Sequence, residues 1–322
     1  MDIDKIIADA SLGTDFSLHP QLPFTRAQAK AAGVSRHALD RLTAAGILRK
    51  PIRGVFVATE LGDSLALRAE CLRLIAPPDA VIVDRHAGWL HGATMVLRPN
   101  EHLELRPVTM FLPGGRGRLR NPLADSGERT FGRGDVVEVE GLRVTSPLRT
   151  ACDLGRVRWT DSAIAALDAM LRLGVFTKDE LLAEVRRFRG MRWVTTLRAI
   201  APLADGRAES PGESVLRLRC IECGLKVEPQ IEVWVGGLLV ARLDLASLEL
   251  LLAVEYDGAE WHTSPEQRAH DEGRRTDLAE NHGWLVRPFT KDEVFGRTRE
   301  CERILHEVAR EARRRRGLRV HA

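Results

Sequence analysis

The stretch Leu250-Leu251-Leu252-Ala253-Val254-Glu255-Tyr256-Asp257-Gly258 constrains this chain more than any other. An apolar run of that length, closed by a glycine, reads as a buried central strand ending in two carboxylates two residues apart. Side chains alternate across a strand, so Glu255 and Asp257 leave from the same face. A carboxylate buried without a cation beside it is costly. The strand end is therefore a candidate metal site.

The flanking residues supply the rest of a sheet. Residues 227–235 and 238–245 read as two strands turning at Gly236-Gly237, a preferred hairpin pair. The second carries Asp244 between Leu243 and Leu245. Adjacent antiparallel strands lie about 5 Å apart, which brings Asp244 toward Glu255. Two carboxylates at that spacing suit magnesium, or manganese, and without a cation one of them would tend to protonate. Ser210-Pro211-Gly212-Glu213 opens a helix as a capping box, so Glu213 either caps it or reaches the metal or its water. Downstream, His262 follows Trp261 and could act as general base. A helix at 265–282 carries Arg274 and Arg275, Gly283 ends it, and 284–289 makes another strand. Thr290 and Glu293 then form a further capping box.

The other end of the chain reads differently. Thr25 can cap a helix through Ala32 that Gly33 stops, and Ser35 caps a second helix with Leu39 and Leu42 at helical spacing. Short strands at 47–48 and 55–57 bracket a basic turn. Helix, turn, helix and basic hairpin is a winged-helix pattern. It presents Arg36, His37 and Arg41 on the second helix and Arg49, Lys50 and Arg53 on the wing to a nucleic-acid groove. A small helical bundle for protein contacts is the competing reading.

Residues 61–207 lie between. They hold a helical stretch at 65–75, strand-like pieces at 81–83, 103–105 and 136–139, and a helical half running from about 147 to 204. Gly114-Gly115-Arg116-Gly117 lacks the strand-to-helix setting of a phosphate loop and reads as a surface turn. His86 and His91 have no third ligand nearby in sequence, so packing or capping is expected of them.

Of the 48 basic residues only six are lysine, against 45 acidic residues and a net charge of +3. Codon bias accounts for the arginine total, but the cluster at Arg310, Arg313, Arg314, Arg315, Arg316 and Arg319 is equally suited to phosphate or to a solvated helix end. Five cysteines at irregular spacing argue against a disulfide framework. Cys220 and Cys223 form a lone CxxC inside a helical pattern and read as packing. No run is long enough to span a membrane and the first residues do not resemble a leader, so a cytoplasmic protein is expected.

Two resemblances follow from these residues. Phe24-Thr25-Arg26-Ala27-Gln28, Gly33-Val34-Ser35, Arg41-Leu42, Gly46-Ile47-Leu48 and Arg53-Gly54-Val55-Phe56 resemble the winged helix of AbiEi-type antitoxins from type IV toxin–antitoxin systems. The middle phrases Trp89-Leu90-His91-Gly92 and Thr145-Ser146-Pro147-Leu148-Arg149-Thr150 resemble the segment that follows it there. The resemblance implies DNA binding, autoregulation and a toxin partner. Arg242-Leu243-Asp244-Leu245-Ala246, Val254-Glu255-Tyr256-Asp257-Gly258, Trp261-His262 and Arg274-Arg275 resemble the PD-(D/E)XK nucleases akin to the very-short-patch-repair endonuclease. That resemblance implies Mg2+ or Mn2+ on Asp244 and Glu255, help from Glu213, and His262 as base. Arg274 and Arg275 join the DNA-contacting residues. Asp257 stands where that superfamily places lysine. The expected architecture is mixed α/β (α+β): a winged helix at 1–60, a middle region at 61–207, and a restriction-endonuclease-like domain at 208–322 with a mixed sheet flanked by helices. The expected activity is metal-dependent DNA hydrolysis; the alternative is an inactive, DNA-binding, antitoxin-like regulator.

Overall fold

The computed structural model describes residues 2–14, 16–93, 107–115, 117–258, 265–296 and 298–318. The chain divides into two compact units, 1–154 and 155–322.

Unit 1 opens with α1 (Ile3–Ala8), followed by β1 (Phe24–Thr25), α2 (Arg26–Ala31), α3 (Arg36–Ala44), β2 (Leu48–Arg49) and β3 (Val55–Ala58). Thr25 caps α2 in a capping box closed by Gln28, and Gly33 takes a φ of 81° to leave the helix. Ser35 Oγ accepts from Ala38 N at 3.1 Å to start α3. β3 runs antiparallel between β1 and β2. This is the winged-helix arrangement expected from the sequence. One part of it was not expected: Ile6 of α1, with Leu12 and Phe16, joins Phe24, Leu39, Leu42 and Phe56 in one core.

The remainder of unit 1 comprises α4 (Leu65–Arg73), β4 (Val81–Ile82), α5 (Asp84–Leu90), β5 (Val108–Pro113), β6 (Ala124–Arg129), β7 (Val136–Val139), β8 (Leu142–Thr145) and α6 (Pro147–Gly155). Its sheet has the order β6-β5-β4-β8-β7 and is mixed: β5–β6 and β4–β8 are parallel, β4–β5 and β7–β8 antiparallel. The strand expected at 103–105 lies outside the described residues. A buried ion network ties the sheet to the helices. Arg129 donates to Asp84 (2.8 Å) and Asp153 (3.0 Å), and Arg149 donates to Asp153 (2.8 Å) and Asp135 (2.5 Å). Asp84 holds a left-handed φ of 52°, a strain that the Arg129 clamp fixes in place. His86 accepts from Thr109 N at 3.1 Å, and burial pushes its pKa down to about 3, so it packs as a neutral ring. His91 bonds the Thr145 carbonyl at 2.7 Å. Glu128 accepts the amides of Gly115 and Gly117, which makes the glycine-rich segment a turn.

Unit 2 begins with α7 (Thr160–Arg172), α8 (Lys178–Glu184) and α9 (Val194–Ile200), the last two joined through a 3-10 turn at Val185–Phe188. There follow α10 (Pro211–Glu222), β9 (Glu228–Val235), β10 (Leu238–Ser247), β11 (Leu252–Asp257), α11 (Pro265–Glu280), β12 (Leu285–Thr290), α12 (Lys291–Phe295) and α13 (Glu300–Arg315). The sheet order is β12-β11-β10-β9. β9, β10 and β11 form an antiparallel meander, while β12 pairs parallel to β11 after the α11 crossover. Leu243, Ala246, Ala253, Leu278 and Trp284 form the core beneath it. Gly236 and Gly237 both take positive φ, 57° and 85°, as a tight hairpin requires.

The boundary expected near 207 falls inside this unit. α7 packs against α10, and Asp168, fully buried, accepts from Arg217 Nη2 at 2.7 Å and from Asp205 N at 2.8 Å. Arg217 also donates to the Leu203 carbonyl at 2.6 Å, and Arg219 to Asp161 at 2.7 Å. The helical half and the four-stranded sheet thus belong to one unit, linked through α10. The protein is mixed α+β, and among the described residues no helix is long and apolar enough to cross a membrane.

Candidate functional sites

The carboxylates singled out in the sequence meet at the polar end of β11. The register Leu245↔Val254 runs from the β10–β11 pair toward Asp244 and Glu255. Asp244 Oδ2 accepts from Tyr256 N at 3.0 Å. Glu213 arrives from the first turn of α10, whose close approach depends on Gly212: a Cβ there would stand 2.2 Å from the Tyr256 ring. Ser210 caps α10 through Glu213 N at 3.1 Å, as expected. The Glu213 carboxylate, however, reaches past the cap to Glu209 N (2.8 Å) and to Gln230 Nε2 (3.0 Å).

Charge is unevenly distributed here. Burial, then the neighbouring Glu213 charge, pushes Asp244 up to about 7, against the pull of the Tyr256 amide and Arg274. Burial also raises Glu213. Glu255, 5% exposed, accepts from Arg274 Nη2 at 3.0 Å and Arg275 Nε at 3.2 Å. Asp257 is exposed at the strand end, opposite Thr290 of β12. His262 lies outside the described residues. The oxygen donors suit a hard divalent cation in kind. Engagement of Glu255 by two guanidinium groups does not, so a metal on Asp244 and Glu255 requires Arg274 and Arg275 to turn aside. Among the described residues no group of three metal-ligating side chains is assembled.

The winged helix offers a second surface. Arg36 and His37, the first two residues of α3, are exposed, as is Arg53 on the wing. Among the described residues Arg36 makes only a long ion pair, with Asp40 at 3.6 Å. The other three expected contacts are held by the fold. Arg41 pairs with Asp4 of α1, Arg49 donates to the Leu61 carbonyl at 2.8 Å, and Lys50 Nζ lies 5.2 Å from the Phe56 ring centre. Sequence reasoning missed the Asp4 contact because α1 was not anticipated.

Comparison with known proteins covers much of this ground. Residues 21–59 match a family model described as transcriptional regulator, AbiEi antitoxin, and residues 80–203 match one described as AbiEi antitoxin C-terminal domain. Two uncharacterized proteins of Mycobacterium tuberculosis, MT2308 of strain CDC 1551 / Oshkosh and Rv2248 of strain H37Rv, are each 36% identical over 173 residues. That alignment covers 53% of this chain and 62% of each relative, so the chain spans less than two thirds of their length. Both family matches end before α10 and carry nothing about the carboxylate cluster.

Proposed function

We propose that the chain is a DNA-binding transcriptional regulator of the AbiEi antitoxin type, acting beside a toxin partner. One observation carries this reading: the match over residues 21–59 coincides with the helix–turn–helix and wing of unit 1. In a helix–turn–helix, the first residues of the recognition helix address base edges in the major groove. Here those residues are Arg36 and His37, while Arg53 on the wing suits a phosphate. The test is fluorescence anisotropy with duplex DNA from upstream of the chain's own gene. Arg36→Ala combined with Arg53→Ala should weaken binding about tenfold or more and flatten its salt dependence. Equal affinity for a scrambled duplex, or an unchanged double variant, would overturn the reading.

A second reading is favoured by Asp244 feeling the charges of Glu213 and Glu255 beside a sheet of three antiparallel strands and a parallel fourth: metal-dependent hydrolysis of a DNA phosphodiester in unit 2. Asp244 and Glu255 would hold Mg2+ or Mn2+, which supplies charge to the phosphate and lowers the pKa of an attacking water. Glu213 assists from α10 and His262 serves as base. Asp257 occupies the lysine position, so the cationic help falls to His262 or an arginine. Plasmid nicking that depends on Mg2+ or Mn2+ and disappears in both Asp244→Asn and Glu255→Gln would establish this activity. Nicking that persists in both variants, or none with either ion, removes it.

A further inference from the structure

Two Arg-Trp dipeptides in unit 2 stand immediately before helices and are brought to one face. Arg158-Trp159 precedes α7, and Arg192-Trp193 precedes α9. Arg156 joins the two segments: its Nη1 donates to the Arg192 carbonyl at 3.0 Å, and its guanidinium lies 5.6 Å from the ring centre of buried Phe188. In each dipeptide the arginine packs on the neighbouring indole, with the Arg158 guanidinium 4.6 Å from the Trp159 ring centre and that of Arg192 5.1 Å from Trp193. The rings are nevertheless exposed, 58% for Trp159 and 36% for Trp193. Arg186, Arg187 and Arg189 add exposed cations from the 3-10 turn beside them. Only Arg187 of these has a carboxylate partner, Glu184; Arg158, Arg186, Arg189 and Arg192 make no ion pair among the described residues.

Local stability does not explain the tryptophans. Both occupy N-cap positions without making a cap hydrogen bond, where serine, threonine or aspartate would hold the helix better. Trp193 also adopts a left-handed φ of 63°. A forgone cap at both positions, with backbone strain at Trp193, indicates that the side chains serve something outside the fold. A cation packed on one face of an indole leaves the other face open to a flat ring. Unpaired bases stack on such faces whatever their sequence, while the arginines follow the backbone phosphates.

We propose that this face binds single-stranded nucleic acid, independently of the winged helix and of the carboxylate cluster. The test uses the full chain with fluorescein-labelled oligothymidylate, oligouridylate of the same length, and a mixed-sequence duplex, read by anisotropy across a salt series. The wild type should bind at least one of the single strands, and more tightly than the duplex. Arg158→Glu with Arg192→Glu should weaken that binding about tenfold or more and lower the salt slope. Trp159→Ala with Trp193→Ala should weaken it by about tenfold, and Trp159→Phe with Trp193→Phe should keep most of it. Unchanged circular-dichroism melting separates these losses from misfolding. Arg36→Ala with Arg53→Ala should leave oligothymidylate binding intact. The proposal is overturned if neither single strand binds, if the charge reversal changes nothing, if binding is lost with the wing variant instead, or if polyglutamate binds as tightly as the oligonucleotide.

Discussion

Unit 1 and unit 2 each bury a cluster of acids and arginines, and the two clusters resolve their charge in opposite ways. In unit 1, Arg129 and Arg149 are shared among Asp84, Asp135 and Asp153, so every carboxylate has a guanidinium. In unit 2, Arg274 and Arg275 both go to Glu255, leaving Asp244 with one backbone amide and Glu213 with neutral donors. The result is a carboxyl raised to about 7 in one unit and a closed ionic lattice in the other. Placement of cations, and not their number, separates a structural cluster from a chemically poised one.

The contrast can be broken most severely at Arg149. Arg149→Ala removes one guanidinium from buried Asp135 and leaves Asp153 to Arg129, and should cost about 3–5 kcal/mol, measured by urea unfolding followed through far-ultraviolet circular dichroism. Next comes the titration of Asp244. Its folded pKa of about 7 lies above its ordinary 3.8, so its contribution is full below pH 3.8 and is lost as pH rises through 7. Unit 2 should therefore weaken over that window by about 2–4 kcal/mol, an upper range given partial exposure, and Asp244→Asn should flatten the profile. A wild-type stability that rises with pH across the same window would refute the poised state. Gly212→Ala should cost about 1–3 kcal/mol by driving α10 off Tyr256, and Tyr256→Leu in the same chain should recover part of it. The smallest effect sharpens the comparison: Arg274→Ala leaves Glu255 with Arg275 and removes a pull on Asp244. The midpoint of the stability–pH profile should move upward, by less than about 1 pH unit, because the guanidinium is partly solvated.

How legible all this was in the sequence depended on range. Thr25 with Gln28, Ser35, Gly236-Gly237 and Thr290 with Glu293 act within a few residues of themselves, so local chemistry located their helices and turns. The meeting of Asp244 and Glu255 was also readable, because strand alternation and a short turn determine it. The arginine partners of Glu255 were not: they lie on a helix that reaches β11 only through a crossover. The same holds for Arg41 with Asp4 and for the joining of the two Arg-Trp dipeptides by Arg156. Mixed strand order in the first unit's sheet likewise depends on pairings between distant segments, for which no turn residue is a signal.

The packing of α7 on α10 has a consequence for how the chain acquires its shape. Synthesis proceeds from the amino terminus, so α7, with Asp168 on its inner face, is made before Arg217 exists. Until α10 follows, that helix has an apolar side with no cover and an acid with no counter-charge. A ribosome that pauses near residue 207 would therefore hold a half-made core, and a gene recombined at that point would exchange incomplete halves. The join between α9 and α10 is for this reason a poor place for evolution to cut.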